Sequence, residues 1–173
     1  MGTKNTNPAK EGHLFEHEVR YDLQRNWYYL KNQNQVKKNL APEKDDASKR
    51  EFDLVMGKMF DPYTYVFECK SHLPHNKNKP VGLGQVVEFY QKLMNYNKRH
   101  AVWMMITDTF YTQKAKDFAY AKNIQLLDGK DLRKIKRKGK GIKGAVSYTA
   151  SILMSEVHND LENRVDKAIK NLT

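Results

Sequence analysis

A single cysteine in 173 residues excludes an intramolecular disulfide and fits a reducing compartment. No run approaches the roughly 18 apolar residues of a membrane-spanning helix. The start does not read as a secretory leader, so the expectation is a soluble, intracellular protein. No internal repeat or low-complexity block is visible. Acidic residues are the minority, 20 against 31 Lys and Arg, which leaves a net charge of +11 and a pI near 9.6. That balance points to a polyanionic partner, most simply the phosphate backbone of a nucleic acid. An AT-rich genome, which inflates Lys and Asn, is the bland explanation of the same numbers. The length suits one domain with a real core.

What is present falls into an order. Residues 1–10 are polar and read as a disordered lead-in. Leu14, Phe15, Val19, Leu23, Trp27 and Leu30 recur at helical spacing, which predicts a helix from about Gly12 to residue 31. Glu16 and Glu18 lie in its first turns, where the helix N-terminus favours them. A short strand is expected at Gln33–Lys38, then a charged loop from Ala41 to Arg50. Two apolar runs, Phe52–Met56 and Tyr63–Lys70, read as a hairpin. Val86, Val87, Phe89, Tyr90 and Leu93 mark a helix from Leu83 to about Tyr96. His100–Thr107 is a strand buried on both faces. Thr112 caps a helix at Gln113–Lys122, and Ile124–Leu127 is a strand closed by an Asp128-Gly129 turn. Arg133 to Lys143 is so basic that it contacts phosphates, forms a solvated loop or serves as a nuclear-import tract, and its glycines argue against a regular helix. Val157, Leu161, Val165, Ala168 and Leu172 share one face of a helix at Ser155–Leu172, which would cover the core or pair with another subunit. The expected divisions are a lead-in (1–10), a core (11–132), a basic loop (133–144) and a helical extension (145–173).

The chemistry concentrates in Tyr65-Val66-Phe67-Glu68-Cys69-Lys70. Strand side chains alternate, so Glu68 and Lys70 point the same way. If Phe52-Asp53-Leu54-Val55-Met56 is the neighbouring strand, Asp53 meets them at one edge of the sheet. Two carboxylates beside an ammonium suit a divalent metal and an activated water. Asp45 and Asp46 compete for the metal role, but Asp53 lies in an apolar strand, where an unpaired acid is costly.

These residues, in this order, resemble the PD-(D/E)XK nuclease superfamily, and within it the Mrr-like restriction endonuclease group. Gly12-x-x-Phe15-Glu16-x-x-Val19 is similar to the group's first helix, Asp53 to its metal-binding aspartate, and Glu68-Cys69-Lys70 to its E-x-K. Gln85 is similar to a glutamine often found early in the next helix, with Gln91 on the same helix. Residues from Thr107 to Leu132 resemble the C-terminal half. Asp53 follows Arg50-Glu51-Phe52, where the group commonly has Gly-x-Asp. The resemblance implies an α/β fold, a mixed central sheet flanked by helices in αβββαβ order, here followed by a C-terminal helix. It implies an endonuclease hydrolysing phosphodiester bonds in DNA and leaving 5′-phosphate ends, with RNA open as a substrate. Asp53, Glu68 and the Cys69 carbonyl would hold Mg²⁺, for which Mn²⁺ could substitute. Lys70 would assist the attacking water, Glu16 and Gln85 would join the site, and Arg133, Lys134, Lys136, Arg137, Lys138, Lys140 and Lys143 would contact nucleic acid. A homodimer would place two such sites on opposite strands.

Other readings stand beside these. Asp53, Glu68 and Lys70 could be structural ion pairs. Cys69, His72 and His75 have the spacing of a zinc set, but Cys69 should face away from Glu68 and no fourth ligand follows. A nucleic-acid-binding module without chemistry, or a subunit of a larger nucleic-acid-processing complex, would keep the charge and lose the cutting.

Overall fold

The computed structural model describes residues 8–31, 52–72, 79–94 and 101–170. The lead-in before residue 8, the strand expected at Gln33–Lys38, Asp45, Asp46, His75 and Leu172 lie outside them.

Helix α1 runs Pro8–Gln24. It opens on a proline, whose missing N–H is no loss in a first turn. Its buried Val19 and Leu23 face the sheet. The helix stops well before residue 31. Trp27 adopts a left-handed backbone, φ 71°, and Tyr28–Leu30 becomes strand β1. Aromatic residues fit a pleated surface well, and pairing with a neighbouring strand outweighs the helical spacing of Trp27 and Leu30. Strand β2 is Leu54–Lys58 and β3 is Asp61–Lys70. Helix α2 follows at Leu83–Leu93, β4 at Ala101–Thr107, α3 at Gln113–Ala121 and β5 at Ile124–Leu127.

The strands lie in the order β1-β2-β3-β4-β5. The first three pair antiparallel, and β3-β4 and β4-β5 pair parallel. This is the mixed sheet that a hairpin followed by strand–helix–strand units demands. The alternation along β3 assigns each side chain to a layer. Tyr65, Phe67 and Cys69 pack with Val19 and Leu23 of α1, whereas Val66 packs with Val86, Phe89 and Leu93 of α2. Glu68 and Lys70 therefore share the α2 side of the sheet.

The C-terminal third departs from expectation. Arg133–Lys138 is not a loop: it belongs to helix α4, Gly129–Lys138, capped by Asp128, whose carboxylate accepts the N–H groups of Lys130 and Asp131. Cations in the last turn favour the helix C-terminus, and leucine and isoleucine at 132 and 135 supply an inner stripe. The glycines that argued against a helix sit at the junction instead. Helix α5, Gly141–Lys170, begins there with Gly141 at φ +80°. A Cβ on Gly144 would stand 1.7 Å from the Gly139 carbonyl oxygen, so only glycine lets the two helices meet so closely.

Helix α5 is no free extension. Ser147 and Ser151 are fully buried against β1 and α1. The Trp27 N–H donates to Ser147 Oγ at 2.7 Å, and the Leu30 N–H to Ser155 Oγ at 2.9 Å. The serines thus occupy donors along the outer edge of the sheet, where an exposed strand would otherwise invite pairing. The face predicted to cover the core does not do so, since Val157, Leu161 and Val165 are all exposed.

Candidate active site

The antiparallel register sets Leu54 opposite Phe67, and so brings Asp53, the residue before β2, beside Glu68. Asp53 extends the ladder with its side chain: its Oδ2 accepts the Cys69 N–H at 2.6 Å. This bond fixes the carboxylate at the C-terminal end of β3. Burial, then the charge of Glu68, push the Asp53 carboxyl up to about 6, against the opposing pull of the Cys69 N–H and Lys70. Its other neighbour in charge is Glu16, on α1, which also adds to the rise.

Glu68 is only 2% exposed, which a lone carboxylate could not sustain. Two ammonium groups hold it. Lys70 Nζ stands 2.8 Å from Oε1, and Lys92 Nζ stands 2.9 Å from both Oε1 and Oε2. For Lys70, burial alone would lower the pKa. The hydrogen bond to Glu68 and the charges of Glu68, Asp53 and Glu88 outweigh it, so the ammonium is held more firmly than usual.

Lys92 was not among the expected site residues. Its only sequence signal is that it follows Gln85 by two helical turns, roughly seven residues, and flanks the buried Phe89 and Leu93. Gln85 itself is used locally. Its Oε1 accepts the Gly82 N–H at 3.1 Å, closing the N-terminus of α2. No hydrogen bond joins it to the acids among the described residues. The end of β3 is held by Thr107, whose hydroxyl donates to the Lys70 carbonyl at 2.7 Å. Asp108 then accepts from Ser71 Oγ and the His72 N–H, which sets the chain leaving the site. Asp108 was also missed; its position just past a buried parallel strand is the signal, because such strand ends carry sites in open α/β sheets.

The Cys69 thiol is buried on the opposite, α1 side, and burial pushes its pKa well up. That orientation is the one expected, and it removes the thiol from any ligand set with Glu68. Among the described residues no three His, Cys, Asp or Glu side chains gather in a metal-holding group. A two-carboxylate site nonetheless fits a hard divalent cation. Mg²⁺ commonly takes one or two protein carboxylates and fills its remaining positions with water and substrate oxygens. The raised Asp53 pKa is the observation in favour: burial, then the charge of Glu68, disfavour its carboxylate, and added positive charge would relieve it.

A cleft of about 390 Å³ lies on the α1 side of the sheet, between α1 and α4, and its lining does not include Asp53, Glu68 or Lys70. Its walls include Ser71 and Asp108, next to the end of β3, and Arg133 and Lys136 on α4, over a floor of Phe15 and Val19. Arg133, Lys134, Lys136, Arg137, Lys138, Lys140 and Lys143 are all exposed, and Arg133, Lys134, Lys136, Arg137 and Lys140 line one surface hollow. Lys134 is partly committed, pairing with Asp131 at 2.9 Å. No described helix is long and apolar enough to cross a membrane.

A family model described as restriction endonuclease, of the Mrr catalytic type, matches residues 11–135. A search of curated proteins finds no match. Two solved structures are similar to the chain. One is a protein of unknown function, AF1548, 25% identical, with 46% of this chain and 41% of that chain covered and a TM-score of 0.40. The other is the MspJI restriction endonuclease in complex with a 27-mer oligonucleotide, 13% identical, with 80% of this chain and 29% of that chain covered and a TM-score of 0.44. The chain thus spans less than half the length of either structure.

Proposed function

The chain belongs to the Mrr-type restriction endonuclease family, and from that premise we propose that it is a metal-dependent DNA endonuclease. Asp53 and Glu68 would hold Mg²⁺, with the Cys69 carbonyl as a further oxygen and Mn²⁺ as a substitute. The observation that carries the reading is the convergence of Asp53, Glu68 and Lys70 at one end of the sheet, with Glu68 buried, Asp53 half-buried and its carboxyl pushed up by burial and by the charge of Glu68. A bound divalent cation would supply Lewis acidity at the phosphate and lower the pKa of an attacking water.

The chain's own residues do the rest. The Cys69 N–H holds Asp53 in place, and Lys70 holds Glu68. Lys70, held as an ammonium, cannot serve as a base. It donates hydrogen bonds, orienting the water and stabilising the charge that grows on the phosphate oxygens. Glu16, whose charge reaches Asp53, would anchor a second cation or the lysine. Gln85 acts by fixing the start of α2. The phosphodiester is hydrolysed to a 5′-phosphate and a 3′-hydroxyl. The basic residues of α4 would contact the nucleic-acid backbone.

The test is incubation of supercoiled plasmid and of labelled duplex, branched and single-stranded DNA, and RNA, with Mg²⁺, Mn²⁺ or EDTA. Cutting is expected with either metal, none with EDTA, and at least about a hundredfold less with Lys70→Ala, the usual scale for losing one transition-state stabiliser. Metal-independent cutting, or binding without cutting on every substrate, would sink the reading and leave a binding module. The basic face has its own test. Each phosphate contact removed should lower the slope of log affinity against log salt by about 1. Arg137→Gln with Lys140→Gln is expected to lower it by about 2, measured by fluorescence anisotropy across a salt series. An unchanged slope would place the DNA elsewhere.

A further inference from the structure

The contact that the cutting chemistry does not use is the one from Lys92 to Glu68. Lys92 bridges both carboxylate oxygens, each at 2.9 Å, while Lys70 holds only one. The two lysines are placed differently. Lys70 shares a strand with Glu68, and its own carbonyl is tied to Thr107. Lys92 comes from the last turn of α2, a separate element, and the two side chains are similarly exposed, 35% for Lys92 and 30% for Lys70. Any cation that takes the oxygens of Glu68 meets the Lys92 ammonium at like-charge distance. With Lys92 in place Asp53, Glu68, Lys70 and Lys92 sum to zero charge, with Glu16 and Glu88 as further acids whose charge reaches them. With Lys92 withdrawn the sum is −1.

We propose that Lys92 gates the metal site, covering Glu68 in the free protein and transferring its ammonium to a nucleic-acid phosphate when substrate arrives. The inference rests on the nuclease reading and adds regulation to it. A phosphate is the natural receiver, being the anion the +11 chain already attracts. The exchange couples the two ligands: nucleic acid opens Glu68 to the cation, and the cation in turn favours the lysine on the phosphate. The free protein would then hold metal weakly and load it only on substrate.

The experiment is a Mn²⁺ titration of the full chain, read by electron paramagnetic resonance of the unbound ion, with and without a phosphorothioate duplex. Lys92→Gln is compared with Lys92→Arg and wild type, each checked by circular dichroism. A charge at this range changes the occupancy of a neighbouring positive ion by about ten- to a thousandfold. Without duplex, Lys92→Gln is therefore expected to bind Mn²⁺ at least about tenfold more tightly than wild type, and Lys92→Arg to match wild type. The duplex is expected to tighten Mn²⁺ binding in wild type by a similar factor and to have little effect in Lys92→Gln. Equal or weaker Mn²⁺ binding by folded Lys92→Gln overturns the gate. The wild-type titration needs no variant: an affinity indifferent to duplex overturns it as well. Failure of the underlying reading looks different. If wild type cuts DNA with Mg²⁺ and these couplings are absent, only the gate falls. If no protein binds Mn²⁺ and none cuts, the nuclease reading falls and takes the gate with it.

Discussion

Asp53→Asn is expected to abolish cutting while making the protein more stable above about pH 6. The carboxyl is raised from 3.8 to about 6 by burial and by Glu68, so the folded state binds a proton more tightly than the unfolded chain. Below about pH 4 both states are protonated and the acid has no net effect on stability. As pH rises toward 6 the unfolded chain ionises freely and the folded one resists, so the penalty grows and is complete above 6. Two pH units correspond to about 2.7 kcal/mol. Asp53 is only partly buried, and solvent screening brings the expected gain for Asn down to about 1–2 kcal/mol. The amide oxygen of Asn can still accept the Cys69 N–H, so the local geometry survives. Thermal melts of both proteins across about pH 4 to 8 make the check: the curves should coincide at the acid end and separate at the neutral end. Lost cutting accompanied by a lowered melting temperature at neutral pH would mean that Asp53 is a structural residue. Cutting at the wild-type rate would remove it from the site.

Glu68→Ala should cost more than any other single change at the site, about 3–5 kcal/mol, the scale for breaking a buried ion pair from one side. The loss is not of one contact. Lys70 and Lys92 both point at Glu68, and without it two ammonium groups face each other over a buried position. Urea unfolding measures the effect. A double variant with Lys92→Met should recover part of the loss, because it removes one of the stranded charges. A Glu68→Ala protein within about 1 kcal/mol of wild type would show that the pair is solvated and that its charges are not held as the distances suggest.

The residues that sequence alone brought together share one property: their meeting depends on local geometry. Glu68 and Lys70 lie two apart in a strand, and strands alternate. Asp53 joins them because a hairpin aligns neighbours over a short separation, and the elements from β2 to β5 followed from spacing, caps and turns. Local patterns misled where long-range pairing competed. Tyr28–Leu30 carries helical spacing, yet the edge of β2 recruits it as a strand. The basic run looked too rich in glycine for a helix, because the glycines serve the contact between α4 and α5, where Gly139 and Gly144 touch.

Charge excess, the acid pair with its lysine, and the strands that carry them were determined by the sequence itself, since composition and alternation do not depend on what packs where. The tertiary structure alone decided that Lys92, 24 residues from Glu68, completes the carboxylate's neutralisation, that serines of α5 close the edge of the sheet, and that the helix face of Val157, Leu161 and Val165 stays exposed. Those facts depend on how helices seat on a twisted sheet, and no period in the chain encodes that.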